Sequence, residues 1–345
     1  MTVTSASYQL YVGVDIAADT FAAAWLSASG VLAVPFTGEQ TPAGFATLQR
    51  RLQATAVSPT ATLVVLEATG NYWVALAVTL HEAGYRVAVV NPRQAHHFAK
   101  AQLRRAKTDA LDARDLARLA AALQPTPWTP PPAVYHEARQ RLVARDALLA
   151  MRTQARNQRH ALLQWPVVVA GVRRHLDELI ADLDRRVASL EAELAALLST
   201  SEWAESLACL TSAPGIGLVT AAWLLVSTLN FALCSNPASL AAYAGLVPVP
   251  RESGRSIRGR PAIGHDGNGR LRTALYMATL SAARHNPAIT VFYERLRAAG
   301  KPHKVARCAA ARKLLHQVWA LGTKRQRFDP HHGQPRPAGA PELAA

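Results

Sequence analysis

No helix or central strand can run through residues 125–132, where five of the eight positions are proline. Each proline lacks the backbone N–H such an element needs, and its ring fixes φ. The chain must therefore fold as separate bodies on either side. With 345 residues, half of them apolar, two or three modules can each bury a core. The expected division is a first domain over 1–124, a linker over 125–135, a helical arm over 136–204, a C-terminal domain over 205–328 and a disordered Pro-, Gly- and His-rich tail over 329–345.

Charge is distributed unevenly over this plan. Residues 1–125 hold ten Lys/Arg against eight Asp/Glu, whereas residues 251–327 hold seventeen against three. A solvated basic face explains about four or five cations. The larger excess predicts a polyanion, because each neutralised phosphate releases condensed counterions, although charge alone does not separate DNA from RNA. Cys209, Cys234 and Cys308 are too scattered for a disulfide framework or a zinc site, which fits a reducing compartment. The N-terminus lacks a signal-peptide pattern, so a cytoplasmic protein is expected. The most apolar stretch, Gly217 to Cys234, carries Thr220, Ser227, Thr228 and Asn230 and predicts a buried helix rather than a membrane span.

The first domain reads as α/β. Gln9 to Ile16 is a strand ending near Asp15, and Phe21–Leu26 with Val31–Phe36 predicts a hairpin around Ser27–Gly30. Thr41 to Thr55 is an amphipathic helix with Thr41 as cap, Pro42 at its first position, and Phe45, Leu48 and Leu52 on one face. Thr62–Leu66 predicts a buried strand closed by Glu67, Tyr72–Ala83 a helix, and Arg86–Val90 a further strand closed by Asn91-Pro92. Beyond the prolines, Leu176, Leu179, Leu183, Val187, Leu190, Leu194 and Leu197 recur at spacings of three and four, a coiled-coil seam that serves equally an internal hairpin or a dimerisation arm. Ala213-Pro-Gly-Ile-Gly217 before an apolar helix resembles a helix-hairpin-helix turn, in which N–H groups near Gly215 and Gly217 face a DNA phosphate. An ordinary tight turn has the same sequence.

Asp15 and Glu67 each close a strand and emerge at one edge if those strands are neighbours. Asp109 and Asp112, three residues apart behind the cap Thr108, project from one helical face that Asp115 continues. Four converging carboxylates repel one another unless a cation lies between them, and all-oxygen ligands favour Mg²⁺ or Mn²⁺. Two such ions would serve phosphodiester exchange. Singly, each acid is also explained as a solvated strand end or as favourable charge at a helix N-terminus.

Taken together these blocks resemble the Piv/MooV-like insertion-sequence transposases, or DEDD transposases, whose first domain is similar to the RuvC junction resolvase with its RNase H-like fold. The resemblance rests on Tyr11-Val-Gly-Val-Asp15, Leu66-Glu-Ala-Thr-Gly-Asn71, Val90-Asn-Pro-Arg93 and Lys107-Thr-Asp-Ala-Leu-Asp-Ala-Arg114. Four later blocks carry it on: Leu210 to Gly217, Tyr243 to Pro248, Glu252-Ser-Gly254 and Gly267 to Arg272. It implies a Mg²⁺-binding tetrad of Asp15, Glu67, Asp109 and Asp112, and a mainly α-helical C-terminal domain supplying a serine that attacks DNA to form a phosphoserine intermediate. Ser253 is that serine, with Ser256 in the same Gly- and Arg-rich loop as the second choice. Arg251, Arg255, Arg258, Arg260, Arg270 and Arg272 would hold the nucleic acid. His265-Asp266 departs from the family, where a basic residue is common. The resemblance further implies double-stranded DNA substrates, a noncoding bridge RNA as guide, and a homo-oligomer, dimer or tetramer. Actin-like ATPases open similarly but need a Gly-Thr or Gly-Ser turn where this chain has Ile16-Ala-Ala. A hydrolytic RuvC-like nuclease would keep the acids and dispense with the serine.

Overall fold

The computed structural model describes residues 8–102, 108–253 and 257–331. The chain divides into two compact units, 1–130 and 131–345.

The first unit is a mixed five-stranded sheet with helices on both faces. Its strands are β1 (Leu10–Ile16), β2 (Thr20–Ser27), β3 (Phe36–Glu39), β4 (Thr62–Glu67) and β5 (Arg86–Val90), in spatial order β3-β2-β1-β4-β5. β1 to β3 are antiparallel neighbours, and β4 and β5 run parallel to β1. Helices α1 (Pro42–Gln53), α2 (Trp73–Glu82), α3 (Pro92–Ala101) and α4 (Asp109–Leu123) complete it.

The alternation along β1 decides what lies on each face. Leu10, Val12, Val14 and Ile16 join Phe45, Leu48 and Leu52 of α1 and Leu76 and Leu80 of α2 in one core. Tyr11 faces the other way, with Leu63, Val65, Ala88 and Val90, against Leu116, Leu119 and Ala120 of α4 and Phe98 of α3. The α1 cap is as the sequence suggests, since the Thr41 hydroxyl accepts from the Gly44 N–H at 3.2 Å. The third strand departs from expectation. Val31 and Val34 are exposed, Leu32 makes only an isolated bridge to Leu26, and pairing begins at Phe36, opposite Ala23. Phe36 fixes this register by packing edge-on against Phe21, with ring centroids 6.0 Å apart.

The second unit is mostly helical. α5 (Ala133–Leu162), which begins inside the expected linker, and α6 (Ala170–Thr200) form an antiparallel hairpin. It is laced by Arg141–Glu193 at 3.3 Å, Arg145–Glu191 at 2.6 Å, Arg152–Asp184 at 2.6 Å and Arg159–Asp177 at 2.9 Å. The buried seam of α6 is Ile180, Leu183, Val187, Leu194 and Leu198. Leu179, expected in that seam, is 47% exposed. The leucine spacing is therefore off by one residue at this end, and Ile180 is the buried neighbour.

α7 (Ala204–Thr211), α8 (Leu218–Thr228), α9 (Pro237–Tyr243), α10 (Gly269–His285), α11 (Pro287–Ala298) and α12 (His303–Lys324) close a core with the proximal ends of α5 and α6. α8 is buried from Ala221 to Thr228, as its composition requires. No helix among the described residues is long and apolar enough to cross a membrane. A two-stranded antiparallel hairpin, β6 (Val249–Ser253) and β7 (Ile257–Ala262), interrupts the helices where an irregular loop was expected. Residues 332–345, the greater part of the expected tail, lie outside the described residues.

Candidate active site

Asp15 lies one residue before the end of β1, and the parallel pairing of Val14 with Leu66 puts Glu67 beside it on the neighbouring strand. Both carboxylates occupy odd positions, so both leave the sheet on the face that carries α4. α4 runs antiparallel to β1. Its C-cap Gln124 donates to the Tyr11 hydroxyl at 3.2 Å, and its middle lies over Gly13.

A Cβ on Gly13 would stand 2.2 Å from the Ala113 carbonyl oxygen and 2.2 Å from the Ala117 nitrogen. Beside it Ala22 and Ala24 of β2 meet Ala113. This saddle of small residues lets the helix backbone rest on the sheet, which brings the N-terminal turn of α4, with Asp109 and Asp112, toward Asp15. The start of α4 is fixed by Thr108, whose hydroxyl accepts from the Leu111 N–H at 3.3 Å.

The electrostatic result is a crowded acid. The Asp15 pKa is pushed up to about 6, first by burial and then by the negative charges of Asp112, Asp109 and Glu67, against a weaker opposing hydrogen bond from the Ile16 N–H. Glu67 is oriented by Thr69, whose hydroxyl donates to it at 2.7 Å. Asp115, expected to continue the acidic face, is buried instead and pairs with Arg118 at 3.2 Å. Among the described residues no group of three or more acidic, His or Cys side chains is gathered closely enough to hold a metal. The donor chemistry nevertheless suits a hard divalent cation, because these acids meet in one another's field with burial and repulsion opposing their charge.

The residues expected in the C-terminal domain fall into three groups. Ser253 and Arg251 lie in β6, and Arg258 and Arg260 in β7, with Ser253 paired to Ile257 at the end of the hairpin. Arg255 and Ser256 lie outside the described residues. Arg270 and Arg272 take part in the domain's own packing. Arg270 pairs with Asp146 of α5 and stacks over Trp223 at 5.1 Å, and Arg272 donates to the Asp266 carbonyl at 2.9 Å across Gly245. Asn268 ties this region together: it accepts from the Leu271 N–H at 3.1 Å and donates to Ser227 and Tyr243.

In the 213–217 turn, a Cβ on Gly215 would meet the Ala282 Cβ at 2.6 Å, so close packing on α10 accounts for that glycine. Gly217 is exposed at the start of α8 with open space around it. Sequence reasoning missed Gly13 and Thr69 as parts of the site. The signal for Gly13 was a glycine inside an otherwise buried strand, which marks close backbone approach.

A mixed sheet of this order joined to a mostly helical unit fits an RNase H-like transposase. Comparison with known proteins is specific: residues 12–165 match a transposase family model, and residues 207–294 match that of the IS116/IS110/IS902 transposase family. The pilin gene-inverting protein of Moraxella bovis is 31% identical over 92% of this chain and 97% of its own length. An IS110 insertion-element protein of Streptomyces coelicolor is 37% identical over 39% of this chain and 32% of its own. The chain belongs to the IS110/IS116 family of transposases, enzymes that cut and rejoin DNA.

Proposed function

We propose that this protein recombines DNA through a divalent-metal centre on Asp15, Glu67, Asp109 and Asp112, with Ser253 as nucleophile. The observation that carries the metal reading is the raised pKa of Asp15, caused by burial and by the other three acids. A bound Mg²⁺ or Mn²⁺ would remove that repulsion, activate the attacking oxygen and stabilise the leaving one. The serine Oγ forms a bond to phosphorus as the bond to the departing sugar oxygen breaks, and the serine proton ends on that oxygen. The number of phosphate ester bonds is conserved. A hydroxyl of another strand can therefore reverse the step and rejoin DNA without an external energy source. Arg251, Arg255, Arg258 and Arg260 around Ser253 hold the backbone, and the open N–H at Gly217 offers a further phosphate contact.

The substrate is double-stranded DNA. Inversion, named in the Moraxella relative, requires the same cut-and-rejoin chemistry. Target choice is delegated to a structured noncoding RNA, which the basic C-terminal charge would accommodate. The active form is a homo-oligomer. What supports it is the tip of the α5–α6 hairpin, where Trp165 and Val167 are 68% and 79% exposed.

The test is covalent trapping on DNA that carries a recombination site. Wild-type protein is expected to give a denaturation-resistant adduct that Ser253→Ala loses and Asp15→Ala prevents from forming. An adduct that persists in Ser253→Ala assigns the nucleophile elsewhere, to Ser256 first. Metal-dependent cutting with no adduct under any condition favours a hydrolytic nuclease.

A further inference from the structure

The arginines of the second unit divide into two kinds. Most of those of α5 and α6 are matched by carboxylates, as with Arg141, Arg145, Arg152 and Arg159. Residues 284–324 hold nine Lys/Arg against Glu294 alone, and none of these cations has an ion-pair partner among the described residues. The contrast is not one of overall basicity. It separates charge used to build the unit from charge left uncompensated on α11 and α12.

Part of that charge is also held in place. Arg295 and Lys313, from different helices, both lie against the Phe292 ring, at 5.3 Å and 4.8 Å from its centroid. On the adjacent residue, Arg307 lies 5.7 Å from the Tyr293 ring, and the Tyr293 hydroxyl meets His303 Nδ1 at 2.9 Å. The ring faces attract cations and restrict long flexible side chains that would otherwise wander. Holding two positive charges over one ring, with no carboxylate at ion-pair distance among the described residues, costs repulsion. Arg307 Nη1 is in addition buried without a hydrogen-bond partner. A polyanion relieves that repulsion.

We propose that the outward face of α11 and α12, organised by Phe292 and Tyr293 and carrying Arg295, Lys313 and His303, grips the phosphate backbone of duplex DNA. The inference rests on DNA being the substrate. It places non-specific grip here, while Arg270 and Arg272 serve packing. Point charges pinned to ring faces contact phosphates rather than base edges, so the grip acts alike on all sequences.

The experiment measures binding of the full chain to a random-sequence duplex by fluorescence anisotropy across a salt series. The Arg295→Gln/Lys313→Gln double variant changes exposed side chains and keeps the fold, which its melting temperature verifies. Its log–log salt slope is expected to be shallower by about two, with affinity roughly 60-fold weaker at 0.1 M salt. Phe292→Leu keeps both charges but frees them, so its slope stays while affinity falls severalfold. Arg141→Gln and Arg152→Gln, taken from the ion-paired hairpin, leave both unchanged. A double variant with the wild-type slope overturns the inference alone, and absence of duplex binding by the wild type overturns the DNA reading with it. A loss confined to a structured RNA hairpin, with DNA binding intact, overturns the choice of DNA.

Discussion

Replacing Gly13 with alanine tests whether α4 is placed by the small-residue saddle. The new Cβ would lie 2.2 Å from two backbone atoms of α4, whereas ordinary contact begins at 3.4 Å, so the helix must rise by about 1.2 Å. Backbone on both sides leaves no flexible side chain to give way. Overpacking of this kind costs about 1–3 kcal/mol. The functional effect is expected to be larger, because the shift carries Asp109 and Asp112 away from Asp15, and a displacement near 1 Å of reacting groups costs up to about 100-fold in rate. The control is Leu48→Ala on the opposite face of the sheet, which is fully buried and costs about 2–5 kcal/mol without touching α4. Both variants are assayed for strand cleavage and joining at a temperature where melting curves show them folded. Gly13→Ala is expected to lose activity far beyond the control and to need more Mg²⁺ for what remains. Equal activity in the two variants, or full activity in Gly13→Ala, would refute the saddle as the device that positions the acids.

Further predictions concern stability. In metal-free protein the folded Asp15 pKa of about 6 lies above the 3.8 of an unperturbed aspartate. The folded state therefore binds more protons between those values, and stability falls as pH rises from about 4 to 6 and stays lower above. Asp15→Asn should melt a few degrees higher than wild type above pH 6 and equally below pH 4, after allowance for partial solvent screening of this half-buried group. Added Mg²⁺ should stabilise wild type and leave the variant unchanged. Equal melting temperatures at pH 8 without metal would remove the repulsion argument. On α6, Ile180→Ala should cost about 2–4 kcal/mol and Leu179→Ala under about 0.5, read from denaturant midpoints. The reverse order would restore the leucine seam. Asn268→Ala should cost about 1–2 kcal/mol through loss of the α10 cap and its two side-chain partners, and Asn268→Asp should recover the cap alone.

Local patterns made much of the first unit readable. Alternating and continuous apolar runs located β1, β2, β4 and β5, and a Thr-Pro start located α1. The run Val31–Phe36 misled because apolar composition alone cannot say which half of β2 the third strand joins. The Phe36–Phe21 contact decides it. Leu179 misled because leucine at a plausible spacing says nothing about the rotation of the helix. Packing against α5 set that rotation one residue away. The hairpin β6–β7 looks like a loop in sequence because its Gly- and Arg-rich run lacks an apolar alternation.

The sequence alone shows the proline run, most strands and helices of the first unit in chain order, and the carboxylates available at strand ends and at the start of α4, while the spatial order of the strands comes from the structure. The features legible in sequence follow from neighbours within a few residues, where steric and hydrophobic periodicity act. Only the tertiary structure decided that Gly13 carries the helix bringing Asp109 and Asp112 toward Asp15, and that Asp115 is spent on Arg118. It also decided which cations are occupied, pairing Arg270 with an aspartate 124 positions away while leaving Arg295 and Lys313 on one ring. Such pairings depend on the path of the chain in space, and charge along the sequence does not record which charges meet.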